Sequence, residues 1–104
     1  DRITGLPTQT QIVGLNYLVR VTDFSVVNVH GGSGGVDRVD LTDSSGNDTL
    51  TANRTSAELR FASGKRISVA AIDSIMARGT QGGTNRKTVA STLDYVLSFT
   101  GTWV

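Results

Sequence analysis

The chain has 104 residues, a formal net charge of +1 and no cysteine. This length suits one domain with a small core, and the lack of thiols excludes disulfides and thiolate metal sites. No apolar run approaches the ~20 residues of a membrane-spanning helix, so we expect no membrane span. The ten basic residues lack interleaved aromatic side chains, so we expect no nucleic-acid partner. We therefore expect a single domain over residues 1–104.

Charge is distributed unevenly between the two halves. Residues 1–52 carry three Arg and six Asp, whereas residues 53–104 carry seven Lys or Arg and three acidic residues. Such side chains are typical of solvated turns. A second interpretation is that oppositely charged ends favour head-to-tail contact between copies.

Short segments of alternating apolar and polar residues predict strands, because every second side chain of a strand faces the same side. In chain order these segments are 17–21, 27–29, 39–41 and 95–99. The clusters of Gly, Asn, Asp and Ser that break the pattern are 31–35, 44–48, 62–65 and 80–83. Short strands separated by tight turns predict an all-β fold.

The order of apolar, glycine and acidic positions recurs about 48 residues further along the chain. Residues 12–26 align in this way with residues 59–75. We therefore expect two internal repeats, 8–52 and 55–99. A repeat of this size has too few apolar side chains to close its own core, so consecutive copies are expected to stack and share one.

Stacking of the two repeats predicts a short β-solenoid or β-roll. Residues in equivalent positions would then lie above one another inside the core. The expected aliphatic ladders pair Leu41 with Val89 and Leu50 with Leu97.

An α+β fold with a helix near residues 68–78 is the alternative. Ser68 is a suitable N-cap, Ile72 and Ile75 have helical spacing, and Gly79 is a suitable stop. The aligned stretch in the first repeat, residues 24–29, is rich in valine and favours a strand. The all-β fold is therefore the leading prediction.

Residues 31–51 resemble a repeat of very long secreted bacterial surface proteins, approximately G-G-x-D-x-V-x-L-x-D-S-x-G-N-D-T-F/L-x-A. Segments like 56–64 and 72–75 follow in that family, and the resemblance covers about residues 10–99. It implies a right-handed β-helix or β-roll at an extracellular or cell-surface location. We therefore expect a non-catalytic structural segment of a repeat array, which self-associates or stacks end to end with other copies or adjacent repeats.

The same segment is distantly similar to the calcium-binding nonapeptide repeats, with consensus G-G-x-G-x-D-x-U-x. In that family carboxylate and carbonyl oxygens bind Ca²⁺ at successive turns. The matching candidate ligands here are Asp40, Asp43, Asn47 and Asp48. The pattern departs from the consensus at Val36, because Asp37 comes one place late. The alternative is that these side chains form turns by accepting backbone hydrogen bonds without a metal.

A carbohydrate-binding or calcium-binding β-module attached to a secreted enzyme is the alternative function, with polysaccharide as its partner. Tyr17 and Trp103 are the candidate sugar-binding side chains, since aromatic rings pack on the C–H face of a pyranose. Trp103 has a second interpretation, in which it covers an open end of the core.

We expect no enzymatic activity, no catalytic residue and no organic cofactor. His30 is the single histidine, and no Gly-x-Ser-x-Gly elbow is present. The glycine run at 31–35 is not followed by the Lys-Ser or Lys-Thr of a phosphate-binding loop.

Overall fold

The computed structural model describes residues 2–13, 18–22, 25–31 and 37–104, which contain eleven β-strands and no helix. In chain order the strands are β1 (Arg2–Gly5), β2 (Gln9–Val13), β3 (Leu18–Thr22), β4 (Val26–His30), β5 (Arg38–Thr42), β6 (Thr49–Ala52), β7 (Ser56–Arg60), β8 (Arg66–Ala70), β9 (Ser74–Gly79), β10 (Arg86–Val89) and β11 (Val96–Gly101). The predicted all-β class is confirmed. The α+β alternative is wrong, because residues 68–78 belong to β8, β9 and the turn between them.

The strands form two sheets. One has six strands in the order β11-β9-β5-β1-β2-β3, and the other has five in the order β10-β6-β7-β8-β4. Strands that follow each other within a sheet through short loops pair antiparallel. Strands that are separated by passage through the other sheet pair parallel. The described body measures 36 × 33 × 20 Å, a thickness that suits two sheets packed about 10 Å apart.

Alternation along the strands decides which side chains enter the core between the sheets. In β7, Ala57 and Leu59 are buried, whereas Ser56, Glu58 and Arg60 are not. The largest fully buried apolar side chains are Ile3, Leu41, Leu50, Leu59, Ile67 and Ile75. Both sheets contribute to this set, so one shared core holds them together.

The spacing between parallel partners is not uniform. β1, β5 and β9 stack in register at steps of 36 residues, β6 and β10 at 37, and β4 and β8 at 40, whereas β11 follows β9 after 22. The predicted repeats at 8–52 and 55–99 concern sequence similarity and stay a prediction.

The predicted ladder pairs, which join residues about 48 apart, are wrong. Leu41 is paired with Ala77, and Leu50 is paired with Lys87. The partner in each case lies 36 or 37 residues further along the chain.

An extra hairpin explains the unequal spacing. From β9 the chain crosses to β10 and returns as β11, 22 residues later. From β5 it passes through β6, β7 and β8 before it returns as β9, 36 residues later. The strands β7 and β8 extend the five-stranded sheet by antiparallel pairing and account for the longer path.

Candidate functional site

Three of the four candidate metal ligands lie in the turn from β5 to β6. They are Asp43, Asn47 and Asp48, and the turn from β9 to β10 lies directly against them. We call residues 43–48 and 80–85 together the carboxylate corner. The second turn begins after Gly79, the last residue of β9.

Asp43 joins the two turns of the carboxylate corner. It is fully buried, and its Oδ1 accepts the backbone N–H groups of Thr80 and Gln81, each at 3.0 Å. Its Oδ2 accepts the side-chain amide of Asn85 at 2.8 Å. Asn85 is also buried, and its Oδ1 accepts the backbone N–H of Asp48 at 3.3 Å. Because turn N–H groups lack a strand partner, these side chains supply the acceptors that burial requires.

Asp48 performs a similar role within the first turn. Its side chain is buried and accepts the backbone N–H and the hydroxyl of Ser44. Its Oδ1 also accepts the backbone N–H of Ala62 at 2.8 Å, which ties the corner to the turn between β7 and β8. Asp48 therefore holds two separate turns together.

The two turns of the corner approach each other closely. Asn47 Oδ1 accepts the N–H of Thr84 at 2.7 Å. Gly83 has a φ of 72°, and a Cβ atom there would lie 2.1 Å from the carbonyl oxygen of Gly46. Only glycine fits at position 83, for conformational and for steric reasons.

Within the described ranges, no group of three or more His, Cys, Asp or Glu side chains is placed to hold a metal ion. The carboxylate oxygens of Asp43 and Asp48 accept N–H and O–H groups, in the manner of the turn-forming interpretation. Calcium binding at this corner stays a prediction.

The fourth candidate ligand, Asp40, lies apart from the others on the outer face of the six-stranded sheet. It forms ion pairs with Arg2 of β1 at 3.1 Å and with Arg78 of β9 at 3.8 Å, so the three charged side chains come from three different strands. The side chain of Asp40 is only 9% exposed because the two arginines cover it.

A second corner lies at the opposite ends of the strands of the six-stranded sheet, where β5, β9 and β11 begin. It is formed by Asp37, Asp73 and Tyr95. These residues immediately precede the paired strands β5, β9 and β11. The N–H of Asp37 donates to Asp73 Oδ2 at 2.7 Å, and the N–H of Asp73 donates to the carbonyl of Asp37 at 3.1 Å. We call these three residues the Tyr95 corner.

We call the passage of the chain from one strand of the series β1, β5, β9 and β11 to the next a circuit. Tyr95 precedes β11 and occupies the position that Asp37 and Asp73 hold before β5 and β9. Its ring is buried, and its hydroxyl lies 2.8 Å from the carbonyl oxygen of Asn53 and 2.9 Å from that of Ser56. These carbonyls belong to the connection between β6 and β7, so Tyr95 ties the last circuit to the five-stranded sheet. Burial raises the pKa of Tyr95 above its ordinary value of 10.0.

Burial of the core face decreases toward β10 and β11. The core-facing side chains of β5 and β9 are fully buried, whereas Leu97 and Phe99 of β11 are only half-buried. Val89 of β10 is 41% exposed although its partner Ala52 is buried, and Val104 is 62% exposed. We call this surface, formed by Val89, Leu97, Phe99, Trp103 and Val104, the β11 end.

Trp103 partly covers the β11 end. Its ring centroid lies 5.7 Å from that of Phe99, and its indole N–H donates to the carbonyl of Thr100 at 3.1 Å. The ammonium of Lys87 lies 4.7 Å from the Phe99 ring on the same surface. This placement suits the interpretation in which Trp103 covers the core. Tyr17, the other candidate sugar-binding residue, lies outside the described residues.

The accessible charge differs from the charge of the sequence. Four acidic side chains are buried, namely Asp37, Asp40, Asp43 and Asp48. All four belong to residues 1–52, so the acidic surplus of that half lies mainly inside the protein. Head-to-tail contact between oppositely charged ends stays a prediction.

Two residues that organise the corners, Asn85 and Tyr95, were not predicted as site residues. Asn85 had a usable signal, because Gly83-Thr84-Asn85 corresponds to Gly46-Asn47-Asp48 at a spacing of 37 residues. Tyr95 had none, because an aromatic residue replaces an aspartate there.

No protein-family model matches this sequence, and neither the curated proteins nor the solved structures include a significant match to it. The described part of the chain has no helix that is long and apolar enough to cross a membrane.

Proposed function

We propose that this chain is a non-catalytic structural segment of an extracellular repeat array, which stacks end to end with identical or adjoining units. The observation that carries the proposal is the parallel, in-register pairing of β11 with β9 at the end of a stack that already contains β1 and β5. The circuits from β5 to β9 and from β9 to β11 each add one strand to the six-stranded sheet, as each coil of a solenoid would.

The shortest circuit has about the length of one solenoid coil. It takes 22 residues to pass from β9 through β10 to β11, close to the ~20 residues common in solenoid coils. The chain then begins another passage. Val104 donates its N–H to the carbonyl of Asn85 and accepts the N–H of Lys87, so it pairs beside β10 in the five-stranded sheet.

The β11 end has the features of a surface that accepts another circuit. β11 is an edge strand of its sheet, and edge strands present unpaired backbone groups along one side. Leu97 and Phe99 on its core face are half-buried, and Val89 and Val104 are exposed beside them. A further unit would bury this apolar surface and pair this edge.

The extracellular location rests on the resemblance of residues 31–51 to repeats of secreted bacterial surface proteins. The non-catalytic role is supported by the placement of His30, which is exposed at the end of β4, and by the structural hydrogen bonds of Asp43 and Asp48.

Sedimentation velocity over a range of concentrations tests the stacking. We expect the average mass of the unmodified chain to rise with concentration. Val104→Asp places a charge at the β11 end and is expected to reduce this association. Val13→Asp is the control, because Val13 is also exposed, at 41% against 62% for Val104, but lies on β2, which is paired on both sides.

A tandem fusion of two copies provides the second arm. If the units stack, the fusion unfolds at a higher denaturant concentration than the single chain, and Val104→Asp in the first copy removes the difference. A single chain that stays monomeric at every concentration, together with a fusion no more stable than one copy, would overturn the proposal.

A further inference from the structure

The outer face of the six-stranded sheet carries a groove of about 320 Å³, whose charged lining residues are Arg2, Arg38, Asp40 and Arg78. Three neighbouring parallel strands, β1, β5 and β9, supply these side chains. Arg2 and Arg38 are in-register partners, so both guanidinium groups start from the same row of the sheet. Parallel neighbours are about 4.8 Å apart, which makes this a concentrated patch of like charge.

The groove has more positive than negative charge. Among the described residues, Asp40 is the one acidic side chain in the lining, and it is shared between Arg2 and Arg78. Arg38 is exposed and has no ion-pair partner among the described residues. Three guanidinium groups against one carboxylate give the described lining residues a net charge of +2. Like charges on adjacent strands are unfavourable unless an anion lies between them.

The remaining lining residues indicate what kind of anion fits. Ser74 and Ser98 place hydroxyl groups beside the arginines, and Met76 and Val96 add apolar surface. Val96 is 66% exposed. Guanidinium groups bind carboxylate and sulfate oxygens through paired hydrogen bonds, hydroxyls bind hydroxyls, and apolar side chains pack on C–H faces.

We propose that this arginine groove binds an acidic polysaccharide through its carboxylate or sulfate groups. Arg38 and Arg78 contact the anionic groups, and Asp40 limits the affinity by neutralising part of the positive charge. The four residue steps between the rows of Arg38 and Arg78 correspond to about 13 Å along the strands, enough for more than one sugar unit. None of the described lining residues is aromatic, so this part of the groove lacks the stacking platform of a single-stranded nucleic-acid site.

The groove and the β11 end share strand β11 but use its opposite faces, because Val96 and Ser98 line the groove whereas Leu97 and Phe99 pack against the core. Occupation of the groove therefore does not depend on stacking, and the two proposals can fail independently. Asp40, which was predicted as a calcium ligand, has a different role in this proposal.

The test measures binding of three polymers of matched length by calorimetry: a polyuronate, a sulfated glycan and a neutral glycan. We expect binding of at least one acidic polymer, with an affinity that falls as salt is added, and no binding of the neutral polymer. The polyuronate and sulfated arms identify which anionic group is preferred.

Three single variants test the site itself. Arg38→Gln is expected to weaken binding about tenfold, because it removes a charge-assisted contact. Arg86→Gln is the matched control. It makes the same change at an exposed arginine of the other sheet and is expected to alter binding less than about twofold. Asp40→Asn is expected to tighten binding about threefold, because it releases Arg2 and Arg78 from their shared partner.

The contrast between Arg38→Gln and Arg86→Gln, which remove the same charge from different sheets, distinguishes a specific site from general attraction to a basic protein. Equal losses in Arg38→Gln and Arg86→Gln would overturn the proposed site. Binding of neutral glycan as tight as acidic glycan would overturn the proposed chemistry, as would tighter binding of single-stranded DNA or of an acidic peptide. Thermal melting of each variant confirms that the fold is retained.

Discussion

The carboxylate corner and the Tyr95 corner solve the same problem with different chemistry. Each must satisfy the backbone N–H and C=O groups of turns that leave one sheet for the other. At the carboxylate corner, Asp43 and Asp48 accept hydrogen bonds from other segments. At the Tyr95 corner, the Asp73 carboxylate accepts the N–H of Asp37, and a phenol replaces the next carboxylate.

The difference follows the donors and acceptors that each corner leaves unpaired. N–H groups of the 80–85 turn point at Asp43, and a carboxylate is suited to accept several of them. Near Tyr95 the facing groups are the carbonyl oxygens of Asn53 and Ser56, and the Ser56 oxygen also accepts the N–H of Asn53. The hydroxyl of tyrosine can donate to a carbonyl whereas a carboxylate cannot, so the type of residue changes with the type of group that faces it.

The largest expected effect is at the carboxylate corner. Asp43→Ala removes the acceptor of three hydrogen bonds, of which the one from Asn85 is buried, and we expect it to lower the free energy of unfolding by about 4 kcal/mol. Chemical denaturation measures the loss. Asp94→Ala is the control, because its ion pair with Arg54 is exposed and should contribute less than about 1 kcal/mol. Equal losses in the two variants would show that Asp43 does not hold the corner.

The close contact of the two turns predicts the next largest effect. Gly83→Ala places a Cβ against the backbone of Gly46, and we expect it to lower the free energy of unfolding by about 3 kcal/mol. Gly64→Ala is the matched control, because Gly64 also has a positive φ but no atom within 4 Å of the added Cβ. It should lose only about 1 kcal/mol. A control that loses as much as Gly83→Ala would contradict the packed geometry of the corner.

A smaller effect is expected at the Tyr95 corner. Tyr95→Phe keeps the buried ring and removes the hydroxyl that lies within hydrogen-bonding distance of two carbonyl groups. We expect the free energy of unfolding to fall by about 1.5 kcal/mol, with the same denaturant slope. No change in stability would mean that the phenol does not tie the last circuit to the five-stranded sheet.

The raised pKa of Tyr95 predicts a dependence of stability on pH. The folded protein holds the phenol proton more tightly than the unfolded chain, whose tyrosine has a pKa near 10.0. Stability from this group is therefore fully present below pH 10.0 and is lost as the pH rises through the higher folded value. The difference between the parent chain and Tyr95→Phe, measured by denaturation from pH 8 to 11, is expected to shrink above about pH 10.

The smallest expected effect concerns calcium. Because Asp43 and Asp48 already accept several hydrogen bonds, we expect the melting temperature to be the same in millimolar Ca²⁺ and in chelator. Asp48→Asn should not change that result. An upward shift with calcium that Asp48→Asn abolishes would instead support the predicted metal site.

The fold class followed from the sequence, because alternation and turn residues act over a few neighbouring positions. The predicted strands near 27–29, 39–41 and 95–99 all lie within or overlap observed strands. The partners of those strands were not predictable in the same way. The hairpin of β7 and β8 lengthens one circuit and not the other, so a single alignment spacing joined Leu41 to the wrong strand.

The candidate site was predicted in part. The sequence identified Asp43, Asn47 and Asp48 as neighbours in a turn, which they are. It could not show whether a cation or N–H groups would face them, because the donors come from residues 80–85, far along the chain. The arginine groove could not be predicted for the same reason, since Arg2, Arg38 and Arg78 come together only when their three strands pair.

The number of residues in a circuit does not determine how many strands it adds to the six-stranded sheet. A circuit of 22 residues and one of 36 both advance the six-stranded sheet by one strand, about 4.8 Å. The additional residues of the longer circuit form β7 and β8, which lie between β6 and β4 and lengthen the five-stranded sheet in the same direction. The circuit from β5 to β9 therefore adds one strand to one sheet and three to the other, so the two sheets grow by different amounts from the same passage of the chain.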